Sequence, residues 1–277
     1  MERINPGRQL LIQVIRRRDD QIDLTRAALA IAWEDCGSID IEETIRTLDA
    51  LIARTRRQLV APAPLAEQAR RIVDYLHQVE GFAGNTAAYD DPDNSYLPQV
   101  IERRVGLPIT LSLVLLHVGW QLGLPLEPSA LPGHFMVRCP DRQGLLFLDL
   151  FYGRVLNSVQ CRAFLHDQLN YEGPDPEHLP SPLRRQVLAR LLRNLKHSYY
   201  RREDWQRALA ATERIVLLEP DSADDLRDRG LLRARLGALH LALLDLERYA
   251  ALEPAAPDQE LIRSRARALA AALAPRN

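Results

Sequence analysis

The segment that decides the fold runs from Leu131 to Gly153 and reads LPGHFMVRCPDRQGLLFLDLFYG. It holds two apolar runs of strand length, HFMVR and LLFLDLF, joined by CPDRQG, whose Pro, Asp and Gly favour a turn. The pattern predicts two antiparallel strands. His134 stands at the head of the first strand and Asp149 near the end of the second, so the question is whether the two side chains meet.

The position of the turn decides which residues face each other. If the connection is centred between Asp141 and Arg142, His134 lies directly opposite Asp149. Opposed residues of an antiparallel pair have Cβ atoms about 4.5–5.5 Å apart, close enough for an imidazole to hydrogen-bond a carboxylate. The spacing therefore predicts a His–Asp dyad, in which the acid orients the ring beside a nucleophile. The simpler alternative is a structural His next to an ordinary strand-end Asp.

A central helix is predicted just before these strands. PITLSLVLLHVGWQLG begins at Pro108, near the first helical position, and ends at Gly123 followed by Pro125. Its sides are almost all apolar, which is typical of a buried helix. The segment before it, YDDPDNSYLPQVIERR, is rich in Asp, Asn and Pro and is interpreted as a polar loop.

The N-terminal third is predicted to be helical. Apolar residues recur at helical spacing over 23–61 and predict two helices, with Ser38 or Asp40 as the cap of the second. A third helix is expected within APAPLAEQARRIVDYLHQVEGF, at 61–82.

The C-terminal part repeats itself. LLEPDSADD at Leu217 aligns with ALEPAAPDQ at Ala251. Their separation resembles the period of a tetratricopeptide repeat, which is about 34 residues. The Pro- and Gly-rich segment NYEGPDPEHLPSP precedes the repeats. We therefore expect an α+β domain over 1–170, a linker over 171–182 and an all-α repeat domain over 183–277.

Composition excludes several classes of function. The chain has 277 residues, 36 Lys and Arg against 37 Asp and Glu, and a net charge of -1. It therefore lacks the basic field that attracts nucleic acid, and no segment approaches the roughly 18 apolar residues of a membrane span. The three cysteines form no CxxC pair, which argues against a thiol metal site and suits the cytoplasm. We expect no cofactor, no metal, no nucleic-acid partner and no membrane association.

Three motifs together resemble the SirB1 family, a bacterial group that joins a transglutaminase-like domain to tetratricopeptide repeats. They are DDPDNSYLPQVIERRVGLPITLSLVLLHVGWQLGLPL, PGHFMVR and FLDLFYGRVL. The resemblance implies a papain-type fold with a small antiparallel sheet. His134 and Asp149 match the His and Asp that active enzymes of this type carry on neighbouring strands. The nucleophile of those enzymes is a Cys at the N-terminus of the central helix, where the helix dipole lowers the thiol pKa.

This sequence departs from the enzymes at the nucleophile. Its central helix opens GLPITLS, without a Cys. Cys139 is expected on the opposite face of the strand from the His, and Cys36 and Cys161 fall in other elements. Thr110 or Ser112 is the candidate hydroxyl nucleophile, although the two lie about 200° apart on a helix and at most one faces the dyad. Each is also explained as a helix-start or buried polar residue.

Two further residues are candidates for binding. Asn94, in the polar loop, is expected either to donate to a ligand or to brace a turn. Arg138 shares a strand face with His134 and is expected either to bind an acidic group or to be a solvated strand-end charge. The first hypothesis is a non-catalytic pseudoenzyme that binds a protein or peptide through the repeats or the dyad cleft. The second is a hydrolase or acyltransferase that uses Thr110 or Ser112 with the dyad. The third is a regulatory scaffold dominated by the repeats.

Overall fold

A computed structural model describes residues 5–59, 63–142 and 144–274. The chain divides into two compact units, Met1–Val187 and Leu188–Asn277. The first unit combines helices with a small antiparallel sheet, and the second is helical. The predicted fold class, an α+β transglutaminase-like domain followed by helical repeats, is confirmed.

The helices of the first unit are α1 (Pro6–Ile15), α2 (Leu24–Cys36), α3 (Ile41–Arg56), α4 (Leu65–Asp74), α5 (Leu97–Arg103), α6 (Pro108–Gln121) and α7 (Ser158–Leu169). The two helices predicted after residue 23 are α2 and α3, and Asp40 rather than Ser38 caps α3, because its carboxylate accepts from the Glu43 backbone N–H at 2.8 Å. Residues 60–62, which the predicted second and third helical segments include, lie outside the described residues.

The polar segment before α6 is more ordered than a loop. A 3₁₀ turn covers Pro92–Ser95, and α5 follows at once. Leu97, Val100 and Ile101 are buried on one side of α5, at the spacing of a helical face. The prediction of a continuous loop was wrong there, because Pro98 and the surrounding charges obscured this short apolar pattern.

Four antiparallel strands form the main sheet of the first unit. They are β3 (Glu127–Leu131), β4 (His134–Asp141), β5 (Gly144–Asp149) and β6 (Arg154–Asn157), in the order β3-β4-β5-β6. The two predicted strands are β4 and β5. Two short strands, β1 (Ala83–Gly84) and β2 (Val105–Gly106), pair in parallel elsewhere in the unit.

The predicted register of β4 and β5 was wrong by two residues. Asp141 pairs with Gly144, so the turn consists of residues 142 and 143, of which 143 lies outside the described residues. Continuing this register places Asp149 opposite Met136 rather than opposite His134. Because the shift is an even number of residues, every side chain stays on its predicted face.

The two faces of the sheet are covered by different helices. One face carries Met136 and Phe147, which pack with Cys161 and Leu165 of α7. His134 and Asp149 belong to this same face by alternation along their strands. Helices α4 and α6 also contact β4. Helix α6 begins at Pro108 and is buried continuously through its first two turns, which confirms the predicted central helix.

The second unit is built of paired helices. They are α8 (Arg184–Arg201), most of which belongs to this unit, α9 (Trp205–Leu218), α10 (Ala223–Arg235), α11 (Leu239–Leu252) and α12 (Gln259–Leu273). The starts of α9 and α11 are separated by the same length of chain as their ends, and that length matches the tetratricopeptide period of about 34 residues. Gly230 of α10 packs so closely on Leu246 that an added Cβ would lie 2.6 Å from its side chain. The predicted repeat is confirmed.

Buried acidic residues tie the repeat helices together. Asp225 is 1% exposed and accepts from Arg193 at 3.0 Å and from Lys196 at 2.8 Å. Burial opposes its ionisation, but the hydrogen bonds from these two cations outweigh burial and hold the pKa of the Asp225 carboxyl below its usual value. Asp245 similarly accepts from Arg229 at 2.9 Å and from Arg233 at 2.8 Å.

Two kinds of feature are absent from the described residues. No helix in the described ranges has the length and apolar character needed to cross a bilayer. Within the same ranges, His, Cys, Asp and Glu side chains form no cluster of three or more that is arranged to hold a metal ion.

Candidate functional site

The structure brings His134 and Asp149 together. His134 Nε2 lies 3.2 Å from Asp149 Oδ2, and the two side chains are 6% and 1% exposed. The contact is a close pair of polar groups rather than a straight hydrogen bond. The residues meet as diagonal neighbours on one sheet face, where long side chains still reach each other. The dyad therefore forms despite the shifted register.

Asp149 has a stronger partner, which the sequence analysis missed. Arg154 lies directly opposite it on β6, and its Nε donates to Asp149 Oδ2 at 3.1 Å. The other oxygen, Oδ1, accepts the backbone N–H groups of Phe151 at 3.1 Å and Tyr152 at 3.4 Å. The carboxylate charge is therefore shared between Arg154, two turn amides and the His ring, and is not devoted to His134.

The turn between β5 and β6 explains this pairing. Gly153 has φ +63°, in the left-handed region, and an added Cβ would lie 2.1 Å from the His77 ring. The chain reverses tightly at Gly153, so Arg154 pairs with Asp149 across the ladder. The signal in the sequence was LFYGR directly after LD, a turn glycine followed by a cation.

Aromatic rings enclose the dyad. The ring of His134 lies 5.9 Å from Phe151 edge to face, 5.9 Å from Tyr152 in a stacked arrangement, and 5.3 Å from Phe164 of α7. The Arg154 guanidinium lies 4.0 Å from the centre of the Phe164 ring and 4.6 Å from that of Tyr152. We call Phe151, Tyr152 and Phe164 the aromatic enclosure. It holds His134 on the α7 side of the sheet.

Thr110 uses its hydroxyl within the first turn of α6. It is fully buried, and its Oγ1 donates to the Asn94 carbonyl at 2.6 Å while accepting the Leu107 backbone N–H at 3.0 Å. A hydroxyl has one hydrogen to donate. Because that hydrogen is committed to a backbone carbonyl, Thr110 acts in this structure as the capping residue of the central helix.

A series of contacts connects the start of α6 with the dyad. The ring of Phe151 touches His134, and the same ring would lie 2.4 Å from a Cβ added to Gly84. Gly84 pairs with Gly106 across the β1–β2 ribbon, and a Cβ added to Gly106 would lie 2.9 Å from Thr110 Oγ1. The candidate hydroxyl and the imidazole are thus connected through the Phe151 ring and the β1–β2 ribbon.

Ser112 is the other candidate hydroxyl. It is 2% exposed, and its Oγ lies 3.5 Å from the Phe135 carbonyl oxygen, a long and weak hydrogen bond. This contact reaches the backbone of β4 one residue from His134. The Phe135 side chain points to the opposite face of the sheet from the imidazole by strand alternation.

The three cysteines lie on α2, β4 and α7, away from the start of α6. Burial raises the pKa of Cys139 to about 11 and that of Cys161 to about 12, and both side chains are fully buried. Thiolate is the reactive form of cysteine, so both residues are held as inert thiols. Cys36 is exposed, at the end of α2.

Asn94 braces the segment before α6. Its side chain is fully buried, donates to the Ala88 carbonyl at 2.7 Å and accepts from the Asn85 amide at 2.9 Å. The neighbouring carboxylates Asp91 and Asp93 lie 3.2 and 3.6 Å from Arg103. These contacts hold the segment before α6 in place, and the Asn94 carbonyl also accepts the hydrogen bond from Thr110 of that helix.

Arg138 binds within its own unit. Its Nε donates to Glu127 Oε2 on β3 at 2.8 Å, and its Nη1 donates to the Leu179 carbonyl at 2.8 Å. The side chain is 15% exposed, so the expectation of a solvated strand-end charge was wrong. The acidic group that Arg138 binds is Glu127, and the structure does not bring Arg138 to the dyad.

The first unit carries a His–Asp pair on its sheet and a buried central helix, which are features of a transglutaminase-like domain. The second unit consists of paired helices, as tetratricopeptide repeats do. Comparison with protein families agrees. Residues 42–193 match the model of the transglutaminase-like superfamily, and residues 195–267 match a tetratricopeptide-repeat model. The chain belongs to the transglutaminase-like superfamily.

Curated relatives share this architecture over most of their length. The chain is 37% identical to a UPF0162 protein of Xylella fastidiosa, over 88% of this chain and 89% of the relative. It is 29% identical to the UPF0162 protein YchA of Escherichia coli, over 78% and 81% of the two chains. It is 26% identical to Protein SirB1 of Salmonella typhimurium, over 80% and 84%. The SirB1 resemblance is thereby confirmed. No solved structure matches the chain significantly.

Proposed function

We propose that this protein is a cytoplasmic, non-catalytic member of its superfamily that binds a peptide or another protein. The observation that carries the proposal is the hydroxyl of Thr110, one of the two candidate nucleophiles, which donates to the Asn94 carbonyl at 2.6 Å. A general base must be within hydrogen-bond reach of the proton that it removes. Because the Thr110 hydroxyl already donates to a backbone carbonyl, His134 does not serve Thr110 in this way.

The charge distribution around Asp149 supports the same conclusion. In a working triad the acid stabilises the imidazolium that forms when the His takes a proton. Here Arg154 already neutralises Asp149 at 3.1 Å, so less of the carboxylate charge is available to His134. The dyad and Arg154 then serve to join β4, β5, β6 and α7.

The alternative function is a hydrolase or acyltransferase that uses Thr110 or Ser112 with His134 and Asp149. One observation favours it: His134 Nε2 and Asp149 Oδ2 lie 3.2 Å apart. Of the two hydroxyls, Ser112 is the one that contacts the backbone next to His134.

Turnover of acyl substrates separates the two functions. The full chain and its His134→Gln variant are assayed with p-nitrophenyl acetate and with amine incorporation into casein, after circular dichroism has established equal folding. We expect the two proteins to react at equal rates within about twofold. If the unaltered protein were faster by tenfold or more, and Ser112→Ala or Thr110→Val removed the difference, the alternative would be correct.

A further inference from the structure

The second unit contains an open apolar groove that the proposed function does not yet use. Its volume is about 780 Å³, and its walls come from the end of α8, the starts of α9 and α11, and long stretches of α10 and α12. Most of its large apolar side chains come from Tyr200, Trp205, Leu231, Leu239 and Leu269. The volume falls within the range of about 300–1,000 Å³ that is typical of binding sites.

The charges of the groove have one sign. Among the described residues, Arg235 and Arg265 are its charged lining residues, and no carboxylate lines it. Arg235 is exposed, and its guanidinium lies 4.0 Å from the centre of the Trp205 ring. Arg265 is exposed on α12, and within the described part of the chain its side chain forms no ion pair or hydrogen bond. Elsewhere in this unit arginines such as Arg193 and Arg229 are paired with carboxylates.

We propose that this groove binds a peptide segment of a partner protein in which apolar side chains stand next to Asp or Glu. The inference rests on the proposed function and names the site and the chemistry of its partner. Apolar side chains of the partner would cover Leu231 and Leu269, and its carboxylates would pair with Arg235 and Arg265. Stacking on Trp205 holds the Arg235 guanidinium at the rim and lowers the entropy lost when it forms an ion pair.

The shape of the groove favours a peptide over a small ligand. Small molecules are usually bound in concave sites that bury most of their surface. Here the rim is exposed at Arg235, Arg265, Ala268 and Ala272. The groove extends over several helices and does not form an enclosed cavity. A peptide laid along such a surface can place successive side chains against it.

The test is selection of binding peptides by the full chain. A phage-displayed library of random twelve-residue peptides is panned on the immobilised protein, and enriched sequences are made as fluorescein-labelled peptides for fluorescence polarisation. We expect the enriched peptides to combine Leu, Ile or Phe with Asp or Glu. Their affinity should fall about tenfold in the Arg235→Glu/Arg265→Glu variant, and Lys-substituted peptides should recover binding to that variant.

Arg263→Glu is the matched control, because Arg263 lies on α12 about 200° around the helix from Arg265 and faces Glu247 and Glu260 instead. It should leave the affinity unchanged. If the enriched peptides bind the Arg235→Glu/Arg265→Glu variant as tightly as the unaltered protein, the groove is not their binding site, and the proposed function stands. If no peptide is enriched, both the groove and the proposed function are contradicted. A dimer in solution that Leu269→Glu dissociates would show that a second copy occupies the groove and would overturn the inference.

Discussion

Replacing Asp149 by Asn tests whether Arg154 or His134 is the main partner of this carboxylate. An Asn in the same position can still accept the backbone N–H groups of Phe151 and Tyr152 through its amide oxygen. Its NH₂ group then faces the Nε of Arg154 and the ring nitrogen of His134 in place of Oδ2. The variant therefore removes a charge and sets donor against donor at a site where Asp149 is 1% exposed.

The expected cost follows from these contacts. A hydrogen bond between charged groups contributes about 1.5–3 kcal/mol to stability. Arg154 is 32% exposed, so water recovers part of its hydration, and we expect Asp149→Asn to lower the free energy of unfolding of the first unit by about 2 kcal/mol. The contact with the His134 ring, which is not a straight hydrogen bond, should account for less than about 1 kcal/mol.

Double-mutant cycles measure the two couplings separately. The first cycle combines Asp149→Asn with Arg154→Met, which keeps a long stem without the charge, and the second combines Asp149→Asn with His134→Gln. Urea unfolding is followed by tryptophan fluorescence in a Trp205→Phe background, so that Trp33 and Trp120 report on the first unit. The Arg154 cycle should give a coupling of about 1–2 kcal/mol, at least twice the His134 value.

The opposite order of couplings would refute this reasoning. If the His134 cycle gave the larger value and the Arg154 cycle fell below about 0.3 kcal/mol, within the error of additive sites, Asp149 would serve the imidazole above all. The carboxylate would then mainly orient the His134 ring, as the acid of a catalytic triad does.

Three further outcomes are expected. Gly153→Ala should lower thermal stability by an amount corresponding to about 2 kcal/mol or more, because it adds a clash to the strain of a positive φ. Gly123→Ala is the control: Gly123 has φ +82° at the end of α6, in the hydrogen-bond pattern of a Schellman motif, and no described atom lies within 4 Å of the added Cβ. It should cost only about 1 kcal/mol, and equal costs would contradict the clash. The pKa of the Asp225 carboxyl is lowered in the folded protein. The stability that the ionised carboxylate contributes is therefore present above its unfolded pKa of about 3.9 and is lost as the pH falls through the folded pKa. In an Asp225→Asn variant the free energy of unfolding should fall less steeply with decreasing pH in this range, and an unchanged steepness would contradict the role of Asp225. In the native protein at pH 8, a thiol-reactive disulfide should modify Cys36 at least about 100-fold faster than Cys161; comparable rates, read from peptide masses, would place Cys161 nearer to solvent.

Features that are local in sequence were predicted well. Pro108 and Gly123 marked the start and the end of a helix that the structure places at Pro108–Gln121, with Gly123 at φ +82° just beyond it. The spacing of the two LEP motifs predicted repeats whose helices begin at Trp205 and Leu239. In each case backbone chemistry or helical periodicity acts within a few turns of chain, so no knowledge of tertiary contacts is needed.

The dyad was predicted for a reason that was only partly correct. The turn of the hairpin lies one residue later than its composition suggested, which shifts the pairing of β4 and β5 by two positions. Because side chains alternate along a strand, a shift of two leaves His134 and Asp149 on one face, and their lengths bridge the diagonal. Strand parity was thus enough to place the residues together, while the exact register was not available from turn residues alone.

The surroundings of the dyad could not be predicted, because they depend on packing between distant segments. Phe164 reaches His134 from α7, a separate element much further along the chain. Arg154 depends on a turn whose shape is set by contact with His77. The commitment of the Thr110 hydroxyl to the Asn94 carbonyl likewise joins residues 16 positions apart. Each contact decides the chemistry of the site, and none follows from a periodic pattern.

The proposed function requires that His134 activates no hydroxyl at the start of α6. The most direct test is the intact mass of the full chain after incubation with an excess of a fluorophosphonate, with peptide mapping of any adduct and His134→Gln as the control. The account predicts an unmodified mass at Thr110 and at Ser112 in both proteins. A stoichiometric adduct on either residue that disappears in His134→Gln would contradict it and would identify the protein as a hydroxyl-dependent enzyme.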